Sequence, residues 1–203
     1  FCLSRGLGDV YKRQAMDFSK NWVAGSSSPE IIFAYVNNSR ASSPLNFTLY
    51  VNDTDGSWNY APSDWCYSSL FADDNTLSRK GDVRSKATFT SQDANRVIKY
   101  PNGTYQLAET SDYTCTPVVI SRISEMYLVK AEALGKTNGA ATLVEYMKKR
   151  YTTAPSEAAI KALSDKEYQT LILDERRREF YAEGMRWQDI KPVSYTHLRA
   201  HET

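Results

Sequence analysis

With 203 residues, 41% of them hydrophobic and 24% charged, the chain is long enough for one domain with a sizeable core and has the balance of a globular protein. Twenty-five basic against 24 acidic residues leave a formal net charge of +1, which argues against the one-sided basic surface of a nucleic-acid-binding protein. No apolar run reaches the roughly 18 residues of a membrane-spanning helix, and the first residues lack the basic region and apolar stretch of a signal peptide.

The two ends read differently from the rest. Residues 1–14 (FCLSRGLGDVYKRQ) and 193–203 (VSYTHLRAHET) resemble translated sequencing-adapter sequence. The expectation is that neither tail belongs to the folded unit and that 15–192 is the native region, cut at both ends. Both histidines, His197 and His201, fall in the second tail, so 15–192 contains none. Two cysteines remain there, Cys66 and Cys115, and spacing alone leaves open whether they pair.

Residues 15–116 are rich in Ser, Asn, Asp, Gly and aromatics, with short apolar runs. Ile31 to Val36 reads as a strand, being β-branched and aromatic, and Phe47 to Val51 reads as another by its alternation. Arg96 to Tyr100 suggests a third, closed by the turn residues Pro101, Asn102 and Gly103. The long irregular stretch over about 52–95 has the length of segments that are usually functional or disordered.

Residues 117–192 read as helical. The 121–134 stretch is expected to place Ile123, Met126, Tyr127, Ala131 and Leu134 on one face, with Gly135 as its stop. A second helix over 140–150 places Leu143, Tyr146, Met147 and Arg150 on one face, and together they predict a helical hairpin. Ala131 and Ala133 are small enough to let the partner helix approach. Ala154-Pro155-Ser156 breaks the chain and starts a short helix to Leu163. Ser164 and Glu167 form a capping-box pattern ahead of a long helix over 165–183, which Gly184 ends.

That long helix carries an unusual stripe. Tyr168, Leu171 and Ile172 continue at helical spacing into Glu175, Glu179, Ala182 and Glu183. Buried carboxylates need partners, and Arg122, Arg176, Arg178 and Arg186 are the candidates. One reading is a carboxylate pair for acid/base chemistry. The stronger one is a structural charge network of Arg122, Glu175, Arg176, Glu179, Glu183 and Arg186, because a catalytic acid needs a raised pKa and neighbouring arginines lower it.

Two segments, VISRISEMYLVKAEAL (119–134) and LILDERRREFYAEGMRWQDI (171–190), resemble the C-terminal signature of the SusD/RagB family. The matching positions are Arg122, Glu125, Met126, Tyr127, Leu128, Ala131, Glu132 and Ala133, then Glu175, Arg176, Arg177, Glu179, Phe180, Glu183, Gly184, Arg186, Trp187, Asp189 and Ile190. Gly81-Asp82-Val83-Arg84 and Lys99-Tyr100 resemble further landmarks of that family. The resemblance implies a mainly α fold, the C-terminal part of an α/α superhelix of tetratricopeptide-like hairpins with irregular loops and a few short strands. It implies a surface lipoprotein of the outer membrane of Bacteroidota, anchored through an N-terminal lipid, that captures glycan and passes it to a SusC-like TonB-dependent transporter. It implies no enzyme activity, no cofactor and no nucleic-acid partner.

Glycan contacts are sought in aromatics, because flat rings stack on the apolar C–H faces of sugars. The stretch 58–71 holds Trp58, Tyr60, Trp65 and Tyr67 as binding candidates; the bland alternative is satellite packing against the core, with Tyr67 and Phe71 four residues apart. A glycoside hydrolase is the competing enzymatic reading, with Asp64, Asp73, Asp74 and Asp82 near the aromatics. A protein-interaction module without glycan affinity is the third. The Asn52 to Gly56 stretch hints at a calcium loop but lacks the expected carboxylates at its first and twelfth positions, so no metal site is expected. Sequons beginning at Asn37, Asn46, Asn52 and Asn102 are read as chance.

Overall fold

The computed structural model describes residues 17–22, 28–35, 62–89, 97–100 and 117–189. The elements run in chain order as β1 (Ile31–Tyr35), β2 (Lys80–Asp82), α1 (Val83–Thr88), β3 (Val118–Arg122), α2 (Ile123–Met147), β4 (Tyr151–Thr153), α3 (Glu157–Ala162) and α4 (Asp165–Glu179). The described part is mainly helical, as the resemblance implies. Two small antiparallel ribbons decorate it: β1 pairs with β3, Ile31 opposite Arg122 and Tyr35 opposite Val118, and β2 pairs with β4, Asp82 opposite Tyr151.

The strand β3 corrects the helical reading of 117 onward. Val118, Val119 and Ile120 are β-branched and find a partner strand in β1, so the helix begins only at Ile123. The strand expected over 96–100 is also reduced: within the described residues only Val97 pairs, as an isolated bridge to Phe89. The strand expected over 47–51 and the calcium-loop stretch lie outside the described residues.

Helix α2 is broken at Gly135, whose φ of 67° suits glycine and almost no other residue. The second arm runs back along the first, so Gly139 returns beside Ala131 and Tyr127 Oη meets Glu145 Oε1 at 3.1 Å. The buried face of the first arm is Ser124, Leu128 and Ala131, while Ile123, Met126 and Leu134 are exposed. This corrects the expected face. Met126 and Leu134 are at the surface, and Ile123 lines an open pocket with Tyr127 and with Glu145 and Tyr146 of the returning arm. The close approach falls at Ala131; Ala133 is exposed. The second arm buries Leu143, Tyr146, Met147 and Arg150 together.

A Cβ on Gly139 would stand 2.3 Å from the Ala131 carbonyl oxygen and 2.6 Å from Tyr168 Oη, which itself donates to that carbonyl at 2.8 Å. Backbone cannot yield cheaply there. Gly139→Ala is expected to destabilise the protein by about 1–3 kcal/mol, read as a lower urea midpoint.

Ser156 caps α3, and Ser164 with Glu167 closes a full capping box on α4. Ser164→Ala is expected to cost about 1 kcal/mol, measurable by thermal melting. Helix α4 ends at Glu179, four residues before the expected end. Buried cations take its last carbonyls: Lys99 Nζ donates to the carbonyls of Glu179 and Tyr181, both at 2.9 Å, and Arg122 Nη2 donates to that of Glu179 at 3.1 Å. Cations are favoured at a helix C-terminus, where the dipole is negative. The chain then turns through Ala182 and Gly184, both at positive φ.

Two apolar clusters result. One joins α2, α3 and α4 around Leu128, Leu143, Met147, Ile160 and Ile172. The other gathers Phe18, Trp22, Leu70, Phe71, Phe89 and Tyr100. A layer of charge touches both.

Candidate functional site

The charged layer is built from the buried face of α4. Glu175 and Glu179 are one helical turn apart and fully buried, in line with Tyr168, Leu171 and Ile172. Glu179 Oε1 accepts from Arg122 Nη1 at 2.6 Å and Arg150 Nη2 at 3.0 Å; its Oε2 accepts from Tyr146 Oη at 2.8 Å, Arg150 Nε at 2.9 Å and Arg84 Nη1 at 3.3 Å. Glu175 accepts from Tyr151 Oη at 2.5 Å, Arg178 Nη1 at 2.9 Å and Arg84 Nη2 at 2.9 Å.

The pairing extends outward from there. Asp82 holds Arg84 with both carboxylate oxygens, at 2.8 and 2.7 Å, and also caps α1 by accepting from the Arg84 backbone N–H. Glu30 holds Arg150 the same way, at 2.9 and 2.6 Å. Glu183 pairs with Lys99 and Arg122. The result is one connected set of five cations (Arg84, Lys99, Arg122, Arg150, Arg178) and five carboxylates (Glu30, Asp82, Glu175, Glu179, Glu183). The ion-paired groups balance in charge, and Arg79, also buried, adds a further cation that donates to Tyr151 Oη and to the Ala72 carbonyl. Aromatic faces complete the lining: Trp22 lies under Lys99 and Arg122, and Tyr151 lies under Arg84.

This environment decides what the acids can do. Burial pushes the Glu179 carboxyl up, but Arg150, Arg122 and Arg84 outweigh it and hold it well below the usual carboxylate range. Burial acts on Glu175 in the same sense and is overcome by Arg84, Arg178 and Arg79. Both are permanently ionised near neutral pH, the opposite of what a general acid needs.

Of the six residues expected in the network, Arg122, Glu175, Glu179 and Glu183 lie in the connected set. Arg176 stands apart from it and pairs with the buried Asp189 at 2.6 Å. Arg186 is exposed and makes none of these ion pairs, which corrects its candidacy as a partner: the chain has already left the helix at Glu179, and the turn carries Arg186 to the surface. Arg84, Asp82, Lys99, Arg150 and Glu30 were not anticipated as partners. The signal for Arg150 was present, since an arginine sharing a buried face with Leu143, Tyr146 and Met147 demands a carboxylate.

The aromatic candidates are placed unevenly. Trp58 and Tyr60 lie outside the described residues, as does the side chain of Tyr67. Trp65 is 50% exposed at the start of a single π-helical turn, Cys66–Leu70. The same turn buries Cys66 and Leu70 and leads into Phe71, which stacks edge-on against Phe89 and Tyr181. The turn therefore anchors its inner side in the second apolar cluster and leaves Trp65 at the surface. Cys66 is a free thiol; Cys115 lies outside the described residues.

Three of the four aspartates of the hydrolase reading are committed to hydrogen bonds within the fold. Asp82 is locked to Arg84. Asp73 accepts from the Gly81 N–H at 2.8 Å, and Asp74 accepts from the N–H groups of Thr76 and Leu77. Asp64 is exposed.

The described frame is a helical scaffold pinned by an ionised core, with Trp65 half exposed on the turn beside it. The SusD family model matches residues 55–191, more than half of the chain, and the chain belongs to the SusD family. Proteins of this family are generally binding proteins that serve in glycan binding and nutrient uptake. No curated protein and no solved structure matches the chain. No helix among the described residues is long and apolar enough to cross a membrane.

Proposed function

We propose that this protein captures oligo- or polysaccharide at the cell surface and delivers it to a SusC-like TonB-dependent transporter, itself held at the outer membrane by an N-terminal lipid. The observation that carries the reading is membership of the SusD family across residues 55–191. The contact residues in this reading are Trp58, Tyr60, Trp65 and Tyr67. The half-exposed indole of Trp65, supported from beneath by a packed turn, is a surface suited to stacking on a sugar ring. The charge network built on Arg122, Glu175, Glu179 and Glu183 serves structure in this reading, and Arg176, paired to Asp189, ties the turn after α4 back to the helix.

The test is affinity electrophoresis through gels cast with single polysaccharides. Trp65→Ala and a Trp58→Ala/Tyr60→Ala double variant are each expected to lose retardation while keeping the wild-type melting temperature. Unchanged retardation in both would remove these aromatics from the binding surface. Co-purification with a SusC-like transporter co-expressed with the protein tests the delivery step, and failure to co-purify would count against it.

A further inference from the structure

Arg177 is the odd member of the Arg176-Arg177-Arg178 run. Arg176 is held by Asp189, and Arg178 by Glu175 and the Leu70 carbonyl. Arg177, half-buried, has no carboxylate within ion-pair distance among the described residues, although Asp174 stands one turn before it on α4. Its guanidinium carbon instead lies 4.5 Å from the centre of the Trp65 ring. A guanidinium stacked on an indole is stabilised by the ring's electron-rich face and keeps its in-plane N–H donors unspent. The described neighbours that feel its charge are the buried thiol of Cys66 and the hydroxyl of Tyr181, both protonated near neutral pH, since burial raises each. The one carboxylate nearby in sequence on the loop, Asp64, is exposed and accepts no bond from Arg177.

Two properties therefore meet at one surface point. Trp65 is half exposed, and Arg177 lies over one face of its ring with no carboxylate partner among the described residues. Guanidinium groups of this kind recognise carboxylate and sulfate oxygens through paired N–H donors. We infer that Trp65 and Arg177 form a subsite for an acidic sugar, a ring carrying a carboxylate or sulfate ester, so that the glycan taken by this protein is an anionic one. The inference rests on the glycan-binding reading above and names the class of glycan.

The experiment is isothermal titration of the full chain with matched pairs that differ only in charge. One pair is oligogalacturonate against its methyl ester; the other is a sulfated galactan oligosaccharide against its desulfated form. The acidic member of one pair is expected to bind about tenfold or more tightly at low salt, and which pair shows the preference distinguishes a uronate from a sulfate source. Arg177→Gln is expected to abolish that preference, and Arg177→Lys to recover part of it. Trp65→Ala is expected to weaken binding of the acidic member. Equal affinity within both pairs, or a preference that survives Arg177→Gln, would overturn the acidic subsite while leaving glycan binding intact. No binding to either pair or to a panel of neutral polysaccharides would overturn the glycan reading itself.

Discussion

Glu179→Gln is expected to cost about 3–5 kcal/mol of folding stability, the scale on which a single partner is removed from a buried ion pair. The carboxylate accepts from three arginines and from Tyr146, all buried. An amide of the same shape presents one acceptor oxygen and two donors, so at least one guanidinium would face an N–H group where it now faces negative charge. The loss falls on the junction of both apolar clusters, because Arg122 reaches β3, Arg150 reaches Glu30 and Arg84 reaches α1 from this one residue. Urea denaturation of the two proteins in parallel checks it. A loss under about 1 kcal/mol, the range of exposed pairs, would show that the site is wet and the network marginal.

Arg84→Met is expected to be comparably damaging, at about 3–5 kcal/mol, and to shift the response to acid. It leaves Asp82 and Glu175 buried without their shared cation. In the unaltered protein Glu175 and Glu179 are held below their ordinary value of 4.5. Their stabilisation is therefore complete above that value and is lost as pH falls through the lower folded values. Without Arg84 the Glu175 carboxyl rises, and acid unfolding is expected to begin at higher pH. At the alkaline end two effects oppose each other. Burial first, then Glu179 and Glu175 against Arg84, hold Tyr146 well above its ordinary value of 10, a contribution present below pH 10 and lost above it. Lys99, pushed down to about 8 mainly by burial, binds fewer protons folded than unfolded between 8 and 10.5, so its own contribution rises across that window. Melting temperatures from pH 2 to 7 for both proteins check the acid limb. Coincident curves would show that Arg84 does not hold Glu175 ionised.

Much of the helical half was legible because local chemistry decided it. Gly135 breaks a helix at any tertiary contact, and Ser164 with Glu167 caps one. The stripe from Tyr168 to Glu179 announced buried acids, since the period that carried the apolar residues carried the carboxylates too. What was not legible depended on distance along the chain. Arg84 meets Glu175 across 91 residues and Arg150 meets Glu30 across 120, and no periodicity records such a meeting. The face of the first arm of α2 was misread for a related reason. Its buried side is defined by close backbone approach at Gly139, where small Ala131 matters more than large Ile123 and Met126. The strand β3 was hidden because its reason for being extended, β1, lies some ninety residues earlier.

The binding surface was least legible. Trp65 stood out as an aromatic in a polar loop, but its stacking on Arg177 depends on the packing of α4 against the turn at 66–70, which the side chain of Arg178 ties together at the Leu70 carbonyl. In the sequence Arg177 stands only as one position of the family motif.

The protein is expected to bind glycan without cleaving it. Affinity electrophoresis of the unaltered chain against a panel of neutral and acidic polysaccharides, with reducing ends assayed in the same samples, tests it most directly. Retardation by at least one polysaccharide with no release of reducing ends is the expected result. Release of reducing ends, or free migration through every gel, would contradict it.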